Sequence, residues 1–268
     1  MREIMRHAFL VAYEGSNYYG FVRQPGGVPT VESVLLGALK DCGIFTNLKE
    51  SRYQIAARTD RGVGALAQVL AMNTLKTPEV EEINSRLPED VVVLGVGVAD
   101  KDFNPRRDVV AKHYKYVCEV PENFNVEIAK EAASMLVGKH DFRFFCAREK
   151  GKTTEGKILL ARVDVGKHLT FDFVAPAFLR QQVRRMVQAL LEVGIGVIDL
   201  EYFSDALNGK VTRSFRPAPP EGLFLANITY RRLLIPRDEK AVERFVSFLR
   251  KKGDLRARAM IEVLSGLT

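Results

Sequence analysis

Residues 57–69 read Ala57-Arg58-Thr59-Asp60-Arg61-Gly62-Val63-Gly64-Ala65-Leu66-Ala67-Gln68-Val69. An aspartate stands between two arginines in a glycine-marked turn, and from Gly64 to Met72 the chain runs on as a strand. Two flanking guanidinium groups favour the ionised carboxylate. A positioned, ionised carboxylate serves as nucleophile or base. The alternative for the same residues is a turn aspartate that caps nearby backbone N–H groups.

Elements of both periods lie on either side. Upstream, His7–Tyr13 reads as a strand, and Val31–Cys42 carries apolar residues at 31, 34, 35, 38, 39 and 42, the stripe of an amphipathic helix. Downstream, Val91–Ala99 is a mostly apolar strand of the kind that is buried. A second series follows: strand Lys112–Val120, helix Val126–Val137, and a strand pair Ile158–Val165 and Leu169–Val174. Helices are then predicted over 177–193 and Leu200–Leu207, with a last strand at Leu223–Tyr230. Beyond Pro236 the chain reads as one or two basic amphipathic helices, with Val242, Phe245, Val246 and Leu249 at helical spacing.

This pattern predicts an α+β fold of two sheet-plus-helix halves forming a central antiparallel sheet with a cleft between them, a natural place for a ligand. The predicted divisions are 1–104, carrying Asp60; 105–236, a second α+β domain; and 237–268, a basic helical tail.

Composition narrows the function. Of the 268 residues 47% are hydrophobic, enough for a substantial core, and no run approaches a membrane-spanning length. The N-terminus reads as a strand and turn rather than a secretory signal, so a cytoplasmic location is expected. Cys42, Cys118 and Cys146 are too few and too scattered for a disulfide framework, and they share no metal-ligand spacing with the histidines; no metal is expected. The net charge of +7 is segregated: residues 1–100 hold ten Lys/Arg against twelve Asp/Glu, the remainder thirty against twenty-one. A polyanionic partner, most commonly nucleic acid, fits that segregation, as does a basic surface with no partner. Gly151-Lys152-Thr153 looks like the end of a phosphate-binding loop, but Cys146 stands where that loop needs glycine.

Two further segments bear chemistry. In Lys112-His113-Tyr114-Lys115-Tyr116, strand alternation points Tyr114 and Tyr116 to one face, with the lysines at neither position; such tyrosines stack bases or simply pack. In Ala177-Phe178-Leu179-Arg180-Gln181-Gln182-Val183-Arg184, a helical reading sets Arg180 and Arg184, four residues apart, on one shared face beside the buried stripe. There they oppose the helix dipole unless an anion is present.

Five segments together resemble the TruA family of tRNA pseudouridine synthases. The family's Gly-Arg-Thr-Asp-x-Gly-Val-His is similar to Ala57–Gly64, and its Tyr-Asp-Gly-x-x-Tyr-x-Gly-Trp to Tyr13–Phe21. Asp102–Arg106 with Tyr114–Tyr116, Phe178 with Val183-Arg184, and Pro219–Leu223 complete the series in the family's order. Ala57, Gly64, Phe21 and Gln182 depart from the family's residues, and the tail from Arg237 matches no motif. The resemblance implies a cofactor-free isomerisation of uridine to pseudouridine in the anticodon stem-loop, at tRNA positions 38 to 40, by a homodimer. It implies Asp60 as the catalytic carboxylate, Arg184 as its ion-pair partner, and Tyr114 as the residue that stacks on uracil and takes the C5 proton. Arg58 would hold the extruded nucleotide and Leu223 line the uracil pocket; Phe178 and Arg180 would also bind substrate. Two rivals are a non-catalytic RNA-binding protein on the same scaffold, and a magnesium-dependent RNA hydrolase, which needs clustered acidic ligands.

Overall fold

The computed structural model describes residues 5–266, so the basic start of the chain and the last two residues of the tail lie outside the described residues. In chain order the elements are β1 (Met5–Tyr13), α1 (Val31–Asp41), β2 (Gln54–Ile55), β3 (Gly64–Thr74), α2 (Val80–Asn84), β4 (Val91–Val98) and β5 (Val109–Cys118). Then come α3 (Val126–Met135), β6 (Gly138–Asp141), β7 (Glu155–Ile158), β8 (Leu160–Val165), β9 (Leu169–Ala175), α4 (Gln182–Gly194) and α5 (Leu200–Leu207). A 3₁₀ turn (Pro220–Gly222) leads into β10 (Leu223–Tyr230), α6 (Glu239–Lys252) and α7 (Leu255–Leu264). The fold is mixed α+β with mostly antiparallel sheet. Two compact units are present: residues up to Val110 together with those from Phe224 onward, and Ala111–Leu223.

In the first unit β1 lies between β4 and β3, antiparallel to both, and β10 joins the far side of β3 in parallel through Phe224 and Leu225. All of β1 after Met5 is buried, which explains why Ala8–Tyr13 reads as a continuous apolar run rather than an alternating one. Its pairing with β3 slips between Val11 and Tyr13, a bulge that bends the strand as it enters the Tyr13–Phe21 segment. Helix α1 starts at a Thr30–Ser33 capping box, satisfying N–H groups that the first turn leaves free. Helix α6 buries Ala241, Phe245 and Leu249, and Arg244 donates to the Leu87 carbonyl at 2.8 Å.

In the second unit β5, β9 and β8 form an antiparallel meander in that neighbour order. Helices α3, α4 and α5 pack together beside it, α3 also lying on β8. Phe145 sits at the centre of an aromatic cluster, with ring centroids 4.8 Å from Phe215, 5.5 Å from Phe203 and 6.2 Å from Phe142. Such contacts add to the ordinary gain of burying large rings.

The structure corrects two local expectations. Residues 177–181 are not helical: Gln181 takes a left-handed conformation (φ 57°) and α4 begins at Gln182. The Gln182 carboxamide accepts from Leu179 N–H at 2.8 Å, and Gln182 N–H returns to the Leu179 carbonyl at 3.1 Å, so a closed turn replaces the expected first helical turn. Arg180 lies in that turn and therefore shares no helical face with Arg184. On β5, Lys112 is buried in phase with Tyr114 and Tyr116, and only Lys115 belongs to the other face. A period of two requires this, since 112, 114 and 116 are all even.

Candidate active site

The Asp60 loop is built on the end of β1. Tyr13 is fully buried and its hydroxyl meets Thr59 Oγ1 at 2.8 Å. Phe21 N–H donates to the Thr59 carbonyl at 3.2 Å, and Gly62 N–H to the Tyr18 carbonyl at 3.4 Å. On the other side buried Gln68 accepts from Ala57 N–H at 3.1 Å and donates to the Ala57 carbonyl at 2.7 Å. The loop closes on itself through Val63 N–H and the Asp60 carbonyl, 3.2 Å. Thr59 is consequently buried while Asp60 is half-buried and Arg58 and Arg61 are exposed. The Arg61 guanidinium lies 4.2 Å from the centre of the Tyr19 ring, a cation–π contact that turns this cation onto the Tyr13–Phe21 segment.

Close approach of the two segments depends on Gly15. It has φ 93°, and a Cβ there would stand 2.3 Å from the Val63 carbonyl oxygen. Gly15→Ala is expected to cost about 1–2 kcal/mol from backbone conformation alone and to push Val63 away. Thermal melting and turnover should both fall; an alanine variant that melts like wild type would show that the segment relaxes freely.

Glu14, beside that glycine, is completely buried in a charge cluster. The Arg256 guanidinium, on α7 and also buried, pairs with its Oε1, and Lys252 Nζ lies 2.9 Å from its Oε2. Ser16 adds two bonds to the carboxylate, from Oγ at 2.8 Å and from N–H at 3.0 Å. Burial alone would raise the Glu14 carboxyl; the Arg256 charge, with hydrogen bonds from Lys252, Arg256 and Ser16, outweighs it and holds the group below its ordinary value. The same Arg256 donates from Nη1 to the Gly62 carbonyl.

The second unit holds Tyr114, Phe178, Arg180, Arg184 and Leu223. Tyr114 is buried on β5, and its ring meets Phe178 edge-on, with centroids 5.2 Å apart and planes at 89°. Arg184, half-buried on the first turn of α4, donates from Nε to the Ala218 carbonyl at 2.6 Å, and Ala218 N–H returns to the Arg184 carbonyl at 2.9 Å. This double tie fixes the course of the helix against the 215–218 segment. Arg180 is exposed. Leu223 is buried where the 3₁₀ turn presses on β5: a Cβ at Gly222 would stand 2.4 Å from the Val117 carbonyl oxygen and 2.8 Å from the Tyr116 ring. Burial, helped by nearby Cys118, pushes the Tyr116 hydroxyl well above its usual value despite Arg184. The structure thus joins Tyr114 with Phe178, leaves Arg180 on a separate turn, and places Arg58 and Asp60 on one loop of the first unit.

The opposite face of β5 carries a charge cluster that sequence reading did not find. Asp172 on β9 lies 2.6 Å from His113 Nε2 and 3.0 Å from Lys115 Nζ. Burial raises its carboxyl, but the His113 hydrogen bond and Lys115 bring it below the ordinary 3.8. A carboxyl depressed in the folded state contributes stability above its ordinary value and loses it as pH falls through the folded one. Melting temperature should therefore drop below about pH 4, with a shallower drop in Asp172→Asn; identical profiles would remove Asp172 from the acid response.

Among the described residues no three His, Cys, Asp or Glu side chains are grouped to hold a metal ion, and no helix is long and apolar enough to cross a membrane.

Residues 132–231 match a family model described as tRNA pseudouridine synthase. Over 246 residues, 90% of each chain, the protein is 37% identical to tRNA pseudouridine synthase A of Thermococcus kodakarensis. Its likeness to the protein of that name from Methanothermobacter thermautotrophicus is 37% over 254 residues, 94% of this chain and 90% of the other. To that of Pyrococcus abyssi it is 38% over 249 residues, 90% of each.

Proposed function

Because this chain belongs to the tRNA pseudouridine synthase A family, we propose that it isomerises uridine to pseudouridine in the anticodon stem-loop of tRNA, at positions 38 to 40, using Asp60 as the catalytic carboxylate. The observation that carries the assignment of Asp60 is its loop: rigidly tied on both sides, with the aspartate half-buried between exposed arginines.

The reaction breaks the ribose C1′–N1 bond, turns the uracil and joins C5 to C1′. N1 gains a proton and C5 loses one, so atoms and electrons balance within the nucleoside. Asp60 opens the sequence by attack or by proton abstraction. Arg184 pairs with Asp60 and keeps it anionic and oriented. Tyr114 stacks on the uracil and takes the C5 proton, a role that its edge contact with Phe178 supports by fixing the ring. Leu223 and Phe178 line the base; Arg58 and Arg180, both exposed, hold the extruded nucleotide and its phosphates.

In this reading segment 1–104 supplies Asp60, segment 105–236 supplies Tyr114 and Arg184, and 237–268 is a basic tail. The two α+β halves are of the RRM or ferredoxin-like kind, and the enzyme works as a cytoplasmic homodimer. Binding through phosphate contacts weakens steeply with salt.

The test is tritium release from unmodified tRNA carrying uridine labelled at C5. The new C5–C1′ bond displaces that hydrogen, so release without any added cofactor reports the reaction itself. Tight tRNA binding without release on several tRNAs would instead favour a non-catalytic RNA-binding protein.

A further inference from the structure

The C-terminal helices match no sequence motif, yet α7 sends a side chain into the middle of the catalytic loop. Arg256 Nη1 donates to the carbonyl of Gly62, two residues past Asp60. Its Nη2 donates to Glu14 Oε1 and, at 3.0 Å, to Ser16 Oγ. Gly62 and Glu14 belong to different segments, so a single guanidinium fixes the Asp60 loop against the segment beneath it. A guanidinium offers donors in a rigid planar fork, whereas an ammonium is a point charge on a flexible stem. Geometry is also what a buried ion pair best provides, since well-packed apolar groups in its place are often equally stable. Lys252 is the natural contrast. Its ammonium meets the same Glu14 carboxylate at 2.9 Å and the Ser16 hydroxyl at 3.3 Å.

We propose that Arg256 is a positioning residue for Asp60: its fork holds the Gly62 carbonyl and thereby the register of the catalytic loop, making α7 part of the active-site frame. This rests on the reading of Asp60 as the catalytic carboxylate. Misplacement of a reacting group by about 1 Å lowers the rate on the order of a hundredfold; Arg58, at the other end of the loop beside the Ala57 that Gln68 holds separately, is moved less than Asp60, so the loss falls mainly on kcat.

The experiment measures kcat and KM by tritium release, with thermal melts, for three variants beside wild type and Asp60→Ala. Arg256→Lys keeps the charge and loses the fork. Glu14→Gln combined with Arg256→Met replaces both buried charges, keeping the packing while removing the donor to Gly62. Lys252→Gln removes a charge from the same cluster and leaves the fork. The expected result is a kcat at least tenfold lower in the first two, with KM within about twofold, and Lys252→Gln close to wild type in both. Should Arg256→Lys not fold, the double variant decides alone. A folded double variant with kcat within threefold of wild type overturns the proposal, as does a Lys252→Gln enzyme that loses kcat to the same extent. If Asp60→Ala is inactive, either result removes only the role of Arg256; if Asp60→Ala still releases tritium, the catalytic reading of Asp60 itself fails.

Discussion

Asp60→Ala is expected to lower tritium release by roughly 10⁴-fold or more while leaving the affinity for tRNA within a few-fold of wild type. The loss is large because the groups that hold its loop are backbone, neutral side chains and the Arg256 cation, and the nearest charged residues in sequence, Arg58 and Arg61, are cations, so none of them can replace a carboxylate. The bonds that hold the loop are made by Thr59, Gly62, Val63 and Ala57, and the bond closing it uses the Asp60 backbone carbonyl rather than its carboxylate. Asp60→Asn, which keeps size and loses charge, should be nearly as inactive. Melting curves matching wild type, together with single-turnover release, would separate the chemical effect from any unfolding. An alanine variant within tenfold of wild type would transfer the catalytic role to another residue.

Glu14→Gln is the substitution with the largest expected cost in stability. It removes the carboxylate shared by Arg256 and Lys252 and leaves the Arg256 cation buried. Breaking a buried ion pair from one side costs about 3–5 kcal/mol, which for a protein of this size corresponds to a fall of roughly 10 °C in melting temperature. Removing both charges in Glu14→Gln with Arg256→Met should recover most of that loss, a non-additivity that a double-mutant cycle reads directly. A Glu14→Gln protein that melts within about 2 °C of wild type would mean that the cluster is hydrated in solution. Acid should act in the same direction: with its carboxyl held low, Glu14 stabilises the fold above its ordinary value of 4.5 and ceases to as pH falls through the folded value.

Much of the fold was legible because its strands and helices carry clear periods. Strand β1 ends at Tyr13, α1 begins at Val31, and β10 spans Leu223–Tyr230, all as the apolar pattern predicts. The hairpin of β6 and β7 was not legible, since Gly138–Asp141 and Glu155–Ile158 are largely polar and are held by side chains: Asp141 accepts from Arg143 Nε at 2.7 Å and Thr154 Oγ1 at 2.6 Å. The false helical turn over 177–181 has a related cause. Only glycine advertises a left-handed backbone, and here Gln181 adopts one because neighbouring side chains close the turn around it. The Asp60 loop was visible from its arginines and glycine, but its support from α7 was not. A usable signal did exist: Arg256 lies three and four residues before Ala259 and Met260, on the buried stripe of its helix. A cation in that position demands a buried acid, and Glu14 directly follows the apolar run Ala8–Tyr13.

The order in which the chain is made gives the first unit a peculiar history. Residues 111–223 form one compact unit from a single uninterrupted stretch. Strand β3, by contrast, is synthesised early and pairs with Phe224 and Leu225, which follow on the order of ten seconds later at ordinary elongation rates. The guanidinium that ties Gly62 to Glu14 comes later still, from residue 256. A nascent chain therefore exposes its aspartate loop unfinished until α7 has emerged, and a chain stopped before β10 is left with an open sheet edge and a buried carboxylate lacking its cation. Completion of the loop waits on residue 256, nearly two hundred residues after Asp60 is made.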